Sequence, residues 1–172
     1  QKPTDKADAY RVDLIASRLG WNGKKMTGEH FGTISLSAGE LKITGDAVTG
    51  GNLEIDMRSI QDTDMTGEYK GKLENHLKSA DFFDAGKFPK AIFEITSVTP
   101  IKDSKEGGFT HTVKGKLSLK EKTSEIAFDA VIKMRDNKAA CVGTATVDRS
   151  KFDVKYGSKT FFAEIGDKVI YD

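Results

Sequence analysis

Few side chains in this sequence could do metal or nucleophilic chemistry, and they are scattered. His30, His76 and His111 could share a metal ion only if the fold brought them together at one end of a barrel, because a metal centre needs converging ligands. Their spacings match no metal-binding motif, so polar positions at a mouth or on the surface are expected for them. Cys141, the single cysteine, sits in an alternating stretch with no suggested base beside it. It reads as a small apolar residue and not as a reactive thiolate. Without a second cysteine it forms no intrachain disulfide and carries no information about the redox compartment. Asp62 and Asp64 pair two carboxylates, but in a polar stretch where they read as solvated. The sequence has no G-x-S-x-G elbow, Walker loop, H-E-x-x-H or C-x-x-C. Gly50-Gly51 reads as a turn or bulge, not a phosphate cradle. The expectation is a protein that is not an enzyme and has no cofactor and no resident metal.

Charge and length narrow the class further. The 172 residues suit one domain over 1–172 with a substantial core. Lys and Arg number 27 against 26 Asp and Glu, for a net charge of +1. The two signs are interspersed, which gives neither a nucleic-acid footprint nor a polybasic membrane patch. No run approaches the roughly 18 apolar residues of a membrane-spanning helix. The first residue is Gln1 and not Met, which sets the expectation of a periplasmic or secreted protein whose signal peptide has been removed.

The elements that must position these groups are mostly strands. Gln1 to Ala9 is polar and expected to fray. Tyr10, Val12 and Leu14 then alternate with Arg11 and Asp13, and Leu19 and Trp21 continue the period until Gly23. Phe31 to Leu36 predicts a short strand ended near Gly39, and Leu41 and Ile43 open another. Leu53-Glu54-Ile55-Asp56-Met57-Arg58 is the clearest alternation, with one apolar and one charged face. Ile60 to Gly67 reads as a connection. The period then changes: Tyr69, Leu73, His76 and Leu77 share a helix face. Ser79 is placed to cap a second short turn with Asp81 in its first positions, and Phe88-Pro89 ends it. Ala91 to Val98 alternates. Phe109 to Leu119 and Ile126 to Ile132 form a hairpin across Lys120 to Thr123. Asp136-Asn137 turns again, Ala139 to Val147 follows, Asp148 to Tyr156 is irregular, and Val169 to Tyr171 opens a last strand.

Many strands joined by short turns predict an all-β, antiparallel barrel with a short helical segment near 69–85 capping or flanking it. Closure removes exposed edges, and 17 glycines relieve the bends. Trp21, Phe31, Leu53, Ile55, Met57, Phe82, Phe83, Phe93, Ile95, Phe109, Val113, Leu117 and Phe128 are the candidates for one interior. Leu73, His76 and Leu77 join them where a helical lid would touch it. The pattern is equally consistent with an interior packed by side chains and with a hollow one.

The wording of the helical region goes further. His76-Leu77-Lys78-Ser79-Ala80-Asp81-Phe82-Phe83-Asp84, followed by Phe88-Pro89-Lys90-Ala91-Ile92-Phe93, resembles the "HL-x-S-x-D-F-F" and "P-x-x-x-F" elements of the YceI-like family of bacterial proteins. Val12-Asp13, Ser17 and Trp21 resemble its first strand and hairpin. His30-Phe31-Gly32 resembles its early glycine-containing strand. Val113 to Lys120 resembles its "G-x-L-T-x-K/R-G" hairpin, except that Glu121-Lys122 stand where glycine is usual. Asp148-Arg149-Ser150-Lys151-Phe152-Asp153 resembles its late "R-x-x-F/W" element.

The resemblance implies a lipocalin-like barrel with an apolar tunnel. It also implies binding of a polyisoprenoid, isoprenoid quinone or fatty-acid-like lipid, and allows a homodimer. Nucleic acid is not an expected partner. The sixteen apolar and lid residues above would then line the ligand, with His76, Asp81 or His30 orienting a headgroup. Two other classes stay open: a structural or interaction module with a filled barrel, and a His-based metal site.

Overall fold

Strand alternation dominates the computed structural model, which describes residues 8–25, 28–45, 47–80, 82–135, 138–152 and 161–171. Nine strands are present among them: β1 (Asp8–Val12), β2 (Leu19–Lys25), β3 (Gly28–Thr44), β4 (Ala47–Asp62), β5 (Lys90–Pro100), β6 (His111–Leu119), β7 (Lys122–Arg135), β8 (Lys138–Val147) and β9 (Phe161–Tyr171). One helix, α1 (Gly67–Lys78), separates β4 from β5, and a 3-10 turn covers Arg149–Phe152. All strand pairings are antiparallel, and they close a ring in the order β3, β2, β9, β8, β7, β6, β5, β4 and back to β3. Each strand therefore has one face in common with all the others, and that shared face is the interior.

β1 and β2 occupy one position in this ring, end to end. Both lie between β3 and β9, β1 pairing near Glu40 to Ile43 and β2 near Gly28 to Ile34. Between them Asp13 breaks the strand. Its carboxylate accepts the N–H groups of Ile15 and Ala16, each at 3.0 Å, and its carbonyl accepts that of Ser17 at 2.9 Å. This local turn competes with the ladder. Leu14, predicted to continue the alternation of Tyr10 and Val12, is turned out to 45% exposure as a result.

Several predicted boundaries move for physical reasons. Phe31 to Leu36 and Leu41 to Ile43 are not two strands but parts of the 17-residue β3. The register shift against β4 at Leu36/Ala38 puts an extra residue into β3, leaves Ser37 and Ala38 both exposed, and so resets the alternation and mimics a strand end near Gly39. β4 runs on through Ile60 to Asp62. Ala9 belongs to β1, while residues 1–7 lie outside the described part, as do Asp81, the Asp136-Asn137 turn and residues 153–160. The last strand begins at Phe161, not Val169, and pairs with both β8 and β2. Phe161-Phe162-Ala163 lacks the two-residue period that would have revealed it.

Ser79 does not cap a second turn; it ends α1. Its hydroxyl donates to the His76 carbonyl at 2.6 Å, and its own carbonyl accepts from Phe82 and Asp84 at 3.0 and 2.8 Å. α1 packs against β4 and buries only Leu77, and the turns after it bury Phe82, Phe83 and Ala85. With Phe152, which is 1% exposed, these close the barrel end from which α1 emerges. On the outer wall, a hydrogen bond from Ser37 and then the Lys90 ammonium at 3.1 Å hold the Glu54 carboxyl below the usual range.

Trp21 locks the same end. Its ring is 4% exposed, and its indole N–H is shared between the carbonyls of Gln61 at 3.0 Å and Thr33 at 3.2 Å, which lie on β4 and β3. Gly32 makes room for this approach: a methyl there would overlap the Gln61 carbonyl oxygen and come within 2.9 Å of the indole. Trp21→Phe keeps the ring buried and removes both hydrogen bonds, so it should cost about 1–3 kcal/mol, read as a lower urea midpoint at unchanged slope. Gly32→Ala must push β3 and β4 apart and should cost more than Trp21→Phe. A smaller loss would show that the indole can slide aside.

Candidate ligand-binding site

The interior holds one apolar cavity of about 40 Å³ among the described residues. Six adjacent strands wall it: Leu41 from β3, Val48 and Leu53 from β4, Phe93, Ile95 and Val98 from β5, Val113 from β6, Phe128 and Ile132 from β7, and Ala139 and Cys141 from β8. Every lining residue is apolar or a thiol. The cavity lies toward the barrel end bearing the β3–β4 and β7–β8 turns, away from α1. Pockets that enclose a small organic ligand run to about 300 Å³ or more, so this cavity as it stands is too small for one. The Phe93 and Phe128 rings, 6.0 Å apart, stand on its wall. Gly115, which pairs with Ile95, supplies clearance for Phe93, since a methyl there would come within 2.5 Å of that ring. A second concavity of about 320 Å³ lies on the outer surface by Lys87, Phe88, Ile92, Lys120 and Glu121, and is open and mixed in polarity.

Of the residues expected to line a ligand, Leu53, Phe93, Ile95, Val113 and Phe128 do line the cavity. Trp21, Ile55, Met57 and Leu117 belong to the core elsewhere in the barrel. Phe31 and Phe109 are corrections: they are 47% and 52% exposed. Gly32, beneath Trp21, takes the inward position in β3, so the alternating Phe31 points out. Phe109 precedes β6 and lies in a turn closed by the Ser104 hydroxyl on its carbonyl at 2.6 Å. Leu73, His76, Leu77, Phe82 and Phe83 come together at the helix end, with the Phe82 and Phe83 rings 4.8 Å apart and His76 5.8 Å from Phe82. They plug that end, and none of them lines the cavity. The sequence missed Leu41, Val48, Val98, Ile132, Ala139 and Cys141. Apart from Leu41 these are small or β-branched residues in alternating stretches, and the reading favoured aromatic bulk.

The three histidines do not converge, because His111 opens β6 beside Pro100, at the opposite end from α1. His30 instead meets Asp64, Nδ1 to Oδ2 at 2.9 Å. Asp62 is not solvated, as its polar neighbours suggested, but fully buried at the end of β4. Burial, then hydrogen bonding with Asp64, raises the Asp62 carboxyl above the usual range. For Asp64, burial raises the carboxyl, but hydrogen bonds with Asp62, His30 and the Phe31 N–H outweigh it and hold the group low.

This architecture has known relatives. The description of a YceI-like domain matches residues 10–170. A UPF0312 protein of Staphylococcus aureus is 33% identical over 90 residues, 48% of this chain and 47% of the relative. One from Pseudomonas fluorescens is 33% identical over 85 residues, 46% of this chain and 43% of the relative. The matching stretch spans a little under half of each relative. Among solved structures, BcnA of Burkholderia cenocepacia superimposes with a TM-score of 0.72 at 20% identity, over 94% of this chain and 99% of that one. A polyisoprenoid binding domain from Saccharophagus degradans gives 0.61 at 12% identity, over 94% and 95%. The YCEI protein of Campylobacter jejuni gives 0.55 at 19%, over 70% and 72%. At such identities the likeness establishes the fold. The family match covers nearly the same span as the closed ring of strands, and the chain belongs to the YceI-like family.

Proposed function

We propose that this protein binds a long-chain apolar ligand, a polyisoprenoid, isoprenoid quinone or fatty-acid-like lipid, within the barrel and carries or sequesters it without chemical change. The observation that carries this reading is the cavity wall: eleven residues from six strands, with no side-chain oxygen or charge among them. The polyisoprenoid binding domain of similar fold adds support for the ligand class. Burying one methylene stabilises by about 0.8 kcal/mol, so about ten contribute roughly 8 kcal/mol against association costs of about 4 or more. Such binding selects length and apolarity over headgroup. The tail would enter from the end opposite α1, so His30 and His76 are not the groups that meet a headgroup.

A second reading is favoured by the cavity's size. At about 40 Å³ this cavity is too small for a ligand as it stands, as expected of a structural or interaction module. The two readings differ in whether Phe93, Phe128 and Ile132 give way to a ligand. Organic extraction of the purified full chain followed by mass spectrometry should release a long-chain lipid in near-stoichiometric amount. A clean extract, together with no saturable uptake of an apolar fluorophore, would establish the filled-barrel reading instead.

Two substitutions test the wall itself. Ala139→Leu fills the cavity from β8 and should weaken uptake of the fluorophore by about tenfold or more, at a stability cost of about 1–3 kcal/mol. Phe93→Ala should cost about 3–5 kcal/mol of stability while strengthening uptake. A Phe93→Ala protein that is destabilised but takes up no more fluorophore than the parent would count against binding in this space.

A further inference from the structure

The helix-covered end holds a group of polar side chains that the ligand reading does not use. His30 extends from β3, Asp62 ends β4, and Asp64 lies in the link to α1. One ligand atom from each lies within 4.8 Å of the other two. We propose that His30, Asp62 and Asp64 bind one divalent transition-metal cation of the Zn²⁺ or Mn²⁺ class, bracing β3 to the end of β4 and the link that leads into α1.

The strongest sign is Asp62. The residue is 0% exposed, yet no N–H or hydroxyl of the described residues donates to its Oδ2, which leaves the Asp64 carboxyl as its polar neighbour. Its other oxygen is held by the Met65 N–H at 2.8 Å. Asp64 is arranged the same way: Oδ1 accepts the Phe31 N–H at 3.1 Å, and Oδ2 turns to His30. Each carboxylate thus has one oxygen fixed by backbone and one presented to the shared space. Such outer hydrogen bonds orient metal ligands. The Glu74 carboxylate of α1 accepts the Asp62 N–H at 3.1 Å and steadies the same corner from the helix.

The donor set selects the ion. Two carboxylates and a neutral imidazole balance a double positive charge. The imidazole disfavours Mg²⁺ and Ca²⁺, and the lack of thiolate disfavours soft ions. Bonds of about 2.0–2.2 Å to nitrogen and oxygen require the three atoms to draw in from their present spread. Water would complete the coordination. The competing occupant is a proton shared by the two carboxyl groups.

Full-length protein stripped with a chelator and titrated with Zn²⁺ or Mn²⁺ alone tests this. One equivalent should bind saturably and raise the thermal midpoint by several degrees. His30→Gln and Asp64→Asn, at partly exposed positions, should keep the strand circular dichroism of the parent and weaken that binding by at least about tenfold. His76→Gln and His111→Gln should leave it intact. Absence of saturable uptake of either ion, which is the result a shared proton gives, would overturn the proposal. So would binding that survives both His30→Gln and Asp64→Asn. Lipid extraction from the same samples is a separate readout, so failure of the metal site and failure of the ligand reading are distinguishable.

Discussion

Ring closure by backbone pairing is the constraint on which everything else in this molecule depends. β9 accepts partners on both sides, β8 on one and the colinear β1 and β2 on the other, so no long strand edge is left free in the ring. Once the ring is closed, parity decides each side chain's role. Val113, Gly115, Leu117 and Leu119 on β6 are buried, while Lys114 and Lys116 between them are exposed. Where a bulge shifts parity, as in β3, the chain spends an extra residue on the outside and returns to the same interior.

The two barrel ends satisfy different demands. At the α1 end the backbone must leave the sheet, and the freed groups are met by specific bonds: the Trp21 indole on two carbonyls, the Met57 N–H on the Pro89 carbonyl at 2.8 Å, and Glu74 on the Asp62 N–H. Leu77, Phe82, Phe83 and Phe152 seal the gap. The opposite end closes with the tight β3–β4 and β7–β8 connections and the loop from Ile101 to Thr110, and the cavity lies beneath it. A polar, closely bonded end and an apolar, less filled one follow from one topological fact: the long excursion from β4 to β5 occurs at one end only.

Alternation made the barrel legible in the sequence, and β4 and the β6–β7 hairpin carry the plainest examples. Bulges, the Asp13 turn and the non-alternating start of β9 were not legible, because each breaks the period locally while long-range pairing maintains the strand. Side-chain bulk was a poor guide to the cavity. Phe31 and Phe109 are outside it, while Ala139 and Cys141 are on its wall. Space arises where small residues face one another, and a linear reading does not see facing pairs. Asp62 was opaque for a related reason: its neighbours in sequence are polar, but across the fold it faces Gly32 of β3 and Glu74 of α1, in a place closed to solvent.

The narrowness of the cavity bears on how such a barrel can hold a ligand at all. An apolar void costs about 24 cal/mol per Å³, so the 40 Å³ present here costs about 1 kcal/mol. A standing void of about 300 Å³ would cost about 7 kcal/mol, comparable with the whole stability of a domain of this kind, about 5–15 kcal/mol. A ligand-free barrel that kept a wide tunnel open would approach instability. Side chains closing inward are therefore the expected resting state of a lipid-binding barrel as much as of a structural one. What separates them is the work of reopening, which falls on Phe93, Phe128 and Ile132 around the wall. Those side chains stand on strands paired on both sides, so an entering tail would be met by rotamer changes within a fixed wall. The closed ring would keep the outline of the wall while such side chains moved.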